Sequence, residues 1–575
     1  MKYGALIAPA VVAAACGGSS PDPDVPHHSE REGGARAASF SDRAEAFQEA
    51  EHAFRPGLAV TLGHHEHAGV LPDRSDDAVQ EEIARLEAAR DAFSSFEREA
   101  LSPTQRAERE AILVRAARGL FELEVLRAHA RDPRRAVHAL DVSYYADVPY
   151  APAGERAEAV MAICDGAESF LDAAVARISS DAPRPWLRAA QVDAEASIAY
   201  LDDRVATAFA DAPAGLEDSL AACKGALASF RDALGARLSE APPTFELGED
   251  GLRRRFAAEG IDVELSTIRG AAQAALERHR AALAEAAAEI DSGASVAEIV
   301  GFERSNRPAA DEVYAIAEGH DMEVRALVEQ TEAARVPSDL EIQALPAPPT
   351  LRDRKLVSRS PAARAEEPWP AALYVSPPDP SWPQAERDGY VLSIGDLLVA
   401  AAREGSAGRA LHAAASARNQ SDILATLCPE TTRGGFAHYA ESMVWRAGLA
   451  SGEPRVHVML RSSAILRSLR VLTALDLHTG AMTAPEAAER LQAEAFLDPA
   501  TARREARRAT YDVTYGSQAL GRLAIEAMAS EWRSAAGPAA DSDFHDELLA
   551  HGCAPPAAIR DALLGPDAGP ILGDL

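Results

Sequence analysis

The chain has 575 residues, several times the length of an ordinary domain, so it either divides into units or builds one large body. Hydrophobic residues make up 47% of it but aromatic residues only 5%, so alanine fills much of the core and helices can pack closely. The formal net charge is −31, and a field of that sign repels nucleic acid, which is therefore not an expected partner.

The first residues have the pattern of a bacterial export signal. Lys2 precedes an apolar run at residues 5–15, which is too short to span a bilayer and is typical of a signal-peptide core. The run ends at Cys16 in a pattern that resembles a lipobox, although an ordinary secretory signal with an incidental cysteine is the alternative. We predict a signal peptide at 1–15, a flexible tether at 16–40, and an exported protein anchored in a bacterial cell envelope by lipid at Cys16, at the outer membrane or the periplasmic face.

After the tether the chain has the pattern of successive helices with polar joints. Ser102 and Gln105 form a capping box with a proline between them at the first helical position, and Ser295 and Glu298 form a second capping box. Hydrophobic periodicity indicates further helices. These amphipathic runs lie at about 153–180, 184–209, 214–239, 265–291 and 308–334.

The pattern changes at residues 336–391, where prolines are dense. Proline lacks an N–H donor and restricts the residue before it, so a long helix is excluded there. Residues 340–345 and 372–375 are predicted to be short strands within this irregular connector. We therefore predict a mainly all-α fold: one large multi-helix body with an N-terminal half at 41–335 and a C-terminal half at 392–575.

Four cysteines remain besides Cys16, namely Cys164, Cys223, Cys428 and Cys553. In an oxidising compartment they allow three disulfide pairings, and the sequence does not choose among them. Buried free thiols are an equal alternative. None of the four has the Cys-x-x-Cys spacing of a metal site.

Several motifs occur in an order that resembles one protein family. They lie at 62–67 followed by 69–73, at 475–483, at 510–515 and at 544–552. Together they resemble the domain-of-unknown-function 885 (DUF885) family over roughly residues 42–565. The resemblance implies a large helical body related to the helical zinc peptidases, in which a His-Glu-x-x-Pro-Gly-His-His helix faces a Glu-Gly-Trp-Ala-x-Tyr-Ala-Glu helix.

The residues at the metal-site positions depart from that pattern. Glu404 matches the family's general base, which takes a proton from zinc-bound water. The histidine positions, however, hold Arg403, Arg409 and Ala410, and a guanidinium group has no lone pair to give to a metal. In the facing helix Gly434 takes the place of a glutamate ligand. The resemblance implies zinc as cofactor, but these residues predict that zinc is lost and that no metal site remains.

Three histidines and a tyrosine are further candidates for a functional site. His412 and His438 would rebuild a metal site only if several side chains moved together onto one point. His65 matches the family's first motif, and a solvated or hydrogen-bonded histidine is the simpler interpretation. Tyr515 matches a family tyrosine that would have a catalytic role as a donor to an oxyanion, with a buried core tyrosine as the alternative.

Replacing a bound cation by arginines has a physical logic. Glu404 and Glu441 would repel one another in a partly buried cleft, and the guanidinium groups of Arg403 and Arg409 can neutralise them. These ion pairs are then purely structural, or the arginines also bind the carboxylate of a ligand through paired hydrogen bonds.

The leading hypothesis is a lipid-anchored metallopeptidase homologue that has lost catalysis and acts as a binding or scaffold protein. Two alternatives stay open. One is an active peptidase or amidase that uses Glu404 in a rearranged site, and the other is a lipoprotein that captures acidic peptides through its two arginines. The expected partners are the membrane, through Cys16, and a peptide or an acidic small molecule.

Overall fold

The computed structural model describes residues 39–572 apart from seven gaps, at 210–212, 349–350, 352–354, 360–369, 380, 538–540 and 566–567. Within it, Phe40–Leu575 form one compact unit, and both proposed joints, near residues 335 and 391, lie inside that unit. The predicted signal peptide and Cys16 lie outside the described residues.

The part of the chain before the connector is helical. Its helices are α1 Phe40–Phe54, α2 Pro56–Thr61, α3 Asp76–Ser94, α4 Pro103–Leu120, α5 Ala128–Arg131, α6 Arg134–Ala139, α7 Ser143–Asp147, α8 Ala153–Asp165, α9 Ala167–Arg177, α10 Arg184–Tyr200, α11 Ala206–Ala208, α12 Leu216–Arg237, α13 Gly248–Ala257, α14 Leu265–Ile290, α15 Val296–Ser305 and α16 Val313–Thr331. Single 3-10 turns occupy His65–His67 and Arg98–Ala100, and π-helical turns occupy Phe121–Val125 and Leu201–Val205.

Helices resume after the connector and continue nearly to the C-terminus. They are α17 Gln384–Tyr390, α18 Ile394–Glu404, α19 Arg409–Ala417, α20 Asp422–Thr426, α21 Glu430–Arg446, α22 Pro454–His478, α23 Ala484–Ala495, α24 Pro499–Tyr511, α25 Ser517–Ala536, α26 Asp541–Ala550 and α27 Pro556–Leu564. The prediction of a mainly all-α fold is confirmed.

The connector contains a small three-stranded sheet, formed by β1 (Ile342–Pro346), β2 (Leu356–Arg359) and β3 (Ala371–Val375). β3 is central: it pairs in parallel with β1, with Ile342 opposite Ala371, and antiparallel with β2, with Leu356 opposite Val375. The two predicted strands correspond to β1 and β3. β2 was not predicted, because its four residues are too few for a clear period-two pattern.

Local helix signals were reliable where a cap marked them. Both predicted capping boxes, at Ser102 and Ser295, are present. The run predicted at 153–180 is divided at Gly166 into α8 and α9. The short helix α13 was not predicted, because its start has no side-chain cap.

Two glycines let the long C-terminal helices α21 and α25 pack against each other. A Cβ atom on Gly521 of α25 would lie 1.8 Å from the carbonyl oxygen of Thr431, at the start of α21. A Cβ atom on Gly435 would lie 2.7 Å from the backbone carbon of Gly521. The two backbones therefore approach more closely here than any larger residue would allow.

One disulfide joins two loops of the C-terminal part. It links Cys428, just before α21, to Cys553, just before α27. Cys164 in α8 and Cys223 in α12 are free and buried. The structure thus combines the alternatives that the sequence left open, with one disulfide and two buried free thiols among the described cysteines.

None of the helices that the structure describes is both long enough and apolar enough to cross a lipid bilayer.

Candidate functional site

Glu404 and Arg409 lie on either side of a tight turn between two buried helices. The hydroxyl of Ser393 caps α18 by accepting a hydrogen bond from the backbone nitrogen of Asp396. α18 then buries an alanine- and leucine-rich face and ends at Glu404, and α19 begins at Arg409. The positions at which the resemblance implies metal ligands therefore lie at the end of one helix and at the start of the next.

Asp321 of α16 holds this turn in place. Ser406 donates to its carboxylate from the backbone nitrogen, at 2.6 Å, and from the hydroxyl, at 2.7 Å. Burial raises the pKa of Asp321, although these two hydrogen bonds act in the opposite direction. At Gly408 a Cβ atom would lie 1.8 Å from the carbonyl oxygen of Arg403, so only glycine fits and the spacing of the two arginines is fixed by the backbone.

The facing helix α21 contributes Glu441 and, unexpectedly, Glu430. Gly434 has no side chain, and a Cβ atom there would lie 2.7 Å from Oε2 of Glu430 and 2.5 Å from Cγ of Gln518. Gln518 also donates a hydrogen bond to the same Glu430 oxygen, at 2.7 Å. The carboxylate of Glu430, one helical turn earlier, thus occupies the space beside the position where the resemblance implies a glutamate.

The predicted arginines and glutamates come together as an ion-pair network. Glu404 accepts hydrogen bonds from Nε of Arg409 at 2.7 Å and from Nε of Arg403 at 3.0 Å. Arg403 also contacts Glu441 at 3.3 Å, and Arg409 contacts Glu430 at 3.5 Å. Each of the two arginines therefore bridges two carboxylates.

Two further groups complete the network. Arg467 of α22 donates to both carboxylate oxygens of Glu441. The backbone nitrogen of Ser358 in β2 donates to Glu404 at 3.2 Å, so the small sheet contacts the motif directly. We call the following side chains the motif cluster: Arg403, Glu404, Arg409, Glu430, Glu441 and Arg467. The sequence did not indicate Glu430 or Arg467, because neither occupies a position of the family motif.

The charges of the motif cluster determine its protonation. Burial acts to raise the pKa of Glu404, but Arg409 and Arg403 outweigh it, and the pKa is lowered. Burial acts to lower the pKa of Arg409, but Glu404 and Glu430 outweigh it, and the pKa is raised. Glu404 therefore stays an ionised, hydrogen-bonded carboxylate, which makes it a weak base.

The side chains at this site do not fit a zinc ion. Arg403 and Arg409, at positions where the resemblance implies histidine ligands, carry guanidinium groups, which cannot coordinate a cation. The carboxylates of Glu404 and Glu441 are each bound by two arginines. Across the described ranges no group of three or more His, Cys, Asp or Glu side chains is placed to hold a metal ion.

A cavity of about 430 Å³ opens on one side of the motif cluster, and we call it the first cavity. Arg403, Glu404, Arg409 and His438 line it, together with residues of α15, β2, α22 and α24. Among the described lining residues nine are cationic and four are acidic. The cations are Arg304, Arg307, Lys355, Arg403, Arg409, Arg467, Arg470, Arg504 and Arg508. In a chain of net charge −31, this cavity has walls of the opposite sign.

Two cations of the first cavity have no carboxylate within ion-pair distance among the described residues. The side chain of Lys355 forms neither a hydrogen bond nor an ion pair with a described residue, although Asp498 and Asp396 act on it electrostatically, and its Nζ lies 4.9 Å from the centre of the Tyr390 ring. Burial lowers the pKa of Lys355 to about 8. Arg307 donates to the carbonyl oxygen of Asp388 at 2.9 Å but makes no ion pair with the described residues, and its Nε has no hydrogen-bond partner.

A larger cavity of about 1010 Å³ also borders the motif cluster, and we call it the second cavity. Helices of the N-terminal part, the small sheet and α19 line it. Arg409 belongs to the lining of both cavities, so the motif cluster contributes to the walls of both. His412 lines the second cavity, whereas His438 lines the first.

The structure therefore separates the remaining candidate residues. His412 and His438 line different cavities, and burial is the first cause that lowers the pKa of each, so both are neutral near pH 7. Tyr515 is fully buried, with its ring 5.5 Å from the guanidinium carbon of Arg508 and 5.8 Å from that of Arg470. His65 packs on Tyr150, with 3.8 Å between the ring centres.

Comparison with known proteins gives a family and a fold. The family model described as "Bacterial protein of unknown function (DUF885)" matches residues 56–563. A solved candidate lipoprotein of unknown function from Shewanella oneidensis has a TM-score of 0.72 and 17% identity, with 92% of this chain and 100% of that chain covered. A candidate lipoprotein from Colwellia psychrerythraea has a TM-score of 0.73 and 14% identity, covering 92% and 98%. No curated protein has a matching sequence.

Proposed function

The chain belongs to the DUF885 family of bacterial proteins of unknown function, and we propose a function for it from the residues of its own site. We propose that it is a lipid-anchored envelope protein that binds an anionic ligand, such as an acidic peptide, in the first cavity and does not hydrolyse it. The observation that carries this proposal is the charge of that cavity, with nine cationic and four acidic side chains among its described lining residues. A carboxylate ligand is the natural complement of such walls.

The motif cluster supports a role in binding rather than catalysis. A general base must be free to take a proton from water, and its pKa should lie near the working pH. Glu404 is instead bound by two arginines and a backbone nitrogen, and its pKa is lowered. Of the other candidates for a rearranged site, only His438 lines the same cavity as Glu404, because His412 faces the second cavity and Tyr515 is fully buried.

Within the first cavity we assign ligand binding to the cations that have no carboxylate partner. Arg403, Arg409 and Arg467 already bind the glutamates of the motif cluster. Lys355 and Arg307 have no such partner among the described residues. An incoming carboxylate would therefore pair with Lys355 and Arg307 without having to displace an internal carboxylate.

The lipid anchor is proposed on two grounds. The sequence around Cys16 resembles a lipobox, and the two solved relatives are themselves described as candidate lipoproteins. Acyl chains on Cys16 would hold the helical body at a membrane surface through the predicted tether.

Isothermal titration calorimetry with the dipeptide glutamyl-glutamate tests the binding proposal. We expect Lys355→Gln to weaken binding about tenfold, because a hydrogen bond to a charged group contributes about 1.5–3 kcal/mol. Binding to the unmodified protein should also weaken above a pH of about 8, since Lys355 loses its charge there. The matched control is Lys224→Gln, which removes the surface lysine paired with Asp202. Equal affinity in both variants would contradict the assignment.

A further inference from the structure

The second cavity has a cationic wall that is independent of the first cavity. Nine arginines and five carboxylates occur among its described lining residues. Six of these arginines come from the N-terminal part of the chain, and apart from Arg409 none of the nine lines the first cavity. At about 1010 Å³ the space is at the upper end of the range for small-molecule sites.

Several cations on this wall lack the partners that a buried charge needs. Arg115 is 9% exposed, and its Nε donates to Glu51 at 2.7 Å, but its Nη1 and Nη2 are buried with no hydrogen-bond partner. Arg74 and Arg177 form no ion pair with the described residues, and Nε of Arg177 and Nδ1 of His129 also have no partner. A buried donor without a partner is costly, so an acceptor group placed beside these nitrogens would be stabilised.

The neighbouring carboxylates are already shared among several arginines. Glu51 contacts Arg55, Arg85 and Arg115, at 3.7, 2.5 and 2.7 Å. Glu122 contacts Arg55, Arg118 and Arg135, at 3.6, 3.3 and 3.7 Å. Arg74 and Arg177 interact only at longer range with carboxylates such as Asp73, and the nine arginines of the described lining outnumber its five carboxylates, so an excess of positive charge remains on this wall.

Another part of the same cavity is aromatic and apolar. Tyr144, Tyr145 and Tyr374 line it together with Ile163 and Phe170. The hydroxyl of Tyr374, a residue of the central strand β3, donates to Asp147 at 2.7 Å, which fixes that ring. An organic ligand would therefore find a cationic surface for its charged group and an aromatic surface for its body.

We propose that the second cavity is a separate binding site for an organic dianion, a phosphoryl or dicarboxylate group on an aromatic or apolar body, whose charged group binds Arg74, Arg115 and Arg177. Two negative charges match the two arginines that have no ion pair. The free Nη1 and Nη2 of Arg115 provide the paired donors that a phosphate or carboxylate accepts. This site goes beyond the proposed acidic-peptide site and requires no residue of the first cavity.

Calorimetry of the full chain with phenyl phosphate and with phthalate tests this site. We expect at least one of the two probes to bind, and tighter binding of one of them identifies the phosphoryl or the dicarboxylate group as the preferred head. The double variant Arg74→Gln/Arg177→Gln should weaken that binding at least about tenfold. Because neither arginine is ion-paired within the described structure, this variant should keep its fold, which thermal unfolding would verify.

Two control variants separate this proposal from the first. Arg188→Gln removes an exposed arginine of α10 and should leave the affinity for the probe unchanged. Lys355→Gln, in the first cavity, should also leave it unchanged even if glutamyl-glutamate binding fails altogether. The second site is refuted if neither probe binds, or if Arg74→Gln/Arg177→Gln binds as tightly as the Arg188→Gln control.

Discussion

At the scale of single residues, the central feature of this protein is the presence of arginines among the buried glutamates of the motif cluster. Arg403 and Arg409 stand at positions where the family resemblance implies metal-binding histidines, and each bridges two glutamates. Guanidinium groups thus supply the positive charge that a bound cation would otherwise bring among these carboxylates. Glu430 enters the cluster because Gly434 leaves room for its carboxylate.

The substitution Glu404→Gln should lower the free energy of unfolding. We expect no peptidase or amidase activity in the unmodified protein or in this variant. The change removes the charge that Arg403 and Arg409 share, and breaking a buried ion pair in this way costs about 3–5 kcal/mol. Urea unfolding would measure this loss, with Glu87→Gln on the exposed face of α3 as the control. Peptidase or amidase turnover that disappears in Glu404→Gln, or about one tightly held zinc per chain by elemental analysis, would contradict the proposed loss of catalysis.

His412 should make the protein sensitive to mild acid. Burial first, then Arg433, lowers its pKa from 6.5 to about 3. Between these values the unfolded chain binds a proton that the folded chain does not, so stability that is present above pH 6.5 is lost as the pH falls. In His412→Gln the loss of unfolding free energy from about pH 5.5 to about pH 4.5 should be smaller by about 1.4 kcal/mol.

Urea unfolding at those two pH values would measure the effect of His412. The matched control is His64→Gln, because the side chain of His64 is 42% exposed. The same pH dependence in His412→Gln and in the unmodified protein would show that this histidine is not held neutral in the folded state.

At the scale of elements, the site depends on how closely its helices and the sheet approach one another. α18 and α21 carry the two motif segments, and β2 adds a backbone donor to Glu404. α21 is in turn held against α25 at two glycines, and α25 supplies Gln518 to Glu430. A shift of α25 would therefore reach the motif cluster through α21.

Gly521→Ala should disturb that contact. The added methyl group would overlap the carbonyl oxygen of Thr431, which is backbone and cannot rotate away, so we expect a loss of about 1–3 kcal/mol from overpacking. Gly225→Ala in the middle of α12 is the matched control, because no atom lies within 4 Å of its added Cβ and alanine favours a helix. Thermal unfolding would measure both variants. We expect the unfolding temperature of the control to equal or exceed that of the unmodified protein and that of Gly521→Ala to be well below it.

At the scale of the whole molecule, a strongly acidic body encloses two cavities with cationic walls. The net charge of −31 favours solubility and repels anions in general, whereas the arginine-rich cavities favour an anion that has already entered. Attraction inside the cavities can coexist with repulsion by the acidic surface, because charges in a partly buried cavity are screened less than those on the surface.

Replacing Cys16 tests how the whole molecule is placed in the cell. We expect Cys16→Ser to move the protein from the membrane fraction to the soluble fraction of a bacterial expression host and to abolish incorporation of labelled palmitate, because acyl chains are the proposed anchor. Cys164→Ser is the control, since this thiol is buried in the helical body. Equal membrane association of both variants would refute the lipid anchor.

Features that depend on neighbouring residues could be predicted from the sequence alone. Helix periodicity, the capping boxes at Ser102 and Ser295 and the proline-rich connector are local, and they gave the mainly helical fold and two of the three strands. The absence of histidine at 403 and 409 was likewise visible without a structure, because guanidinium chemistry does not depend on the fold.

Only the tertiary structure decided which distant groups meet. Cys428 and Cys553 are 125 residues apart in the chain, and Glu430 and Arg467 lie outside the motif, so no local pattern could assign their partners. The unpaired state of Lys355, Arg74 and Arg177 is equally invisible in sequence, because whether a charge finds a partner depends on how helices from both ends of the chain pack around it.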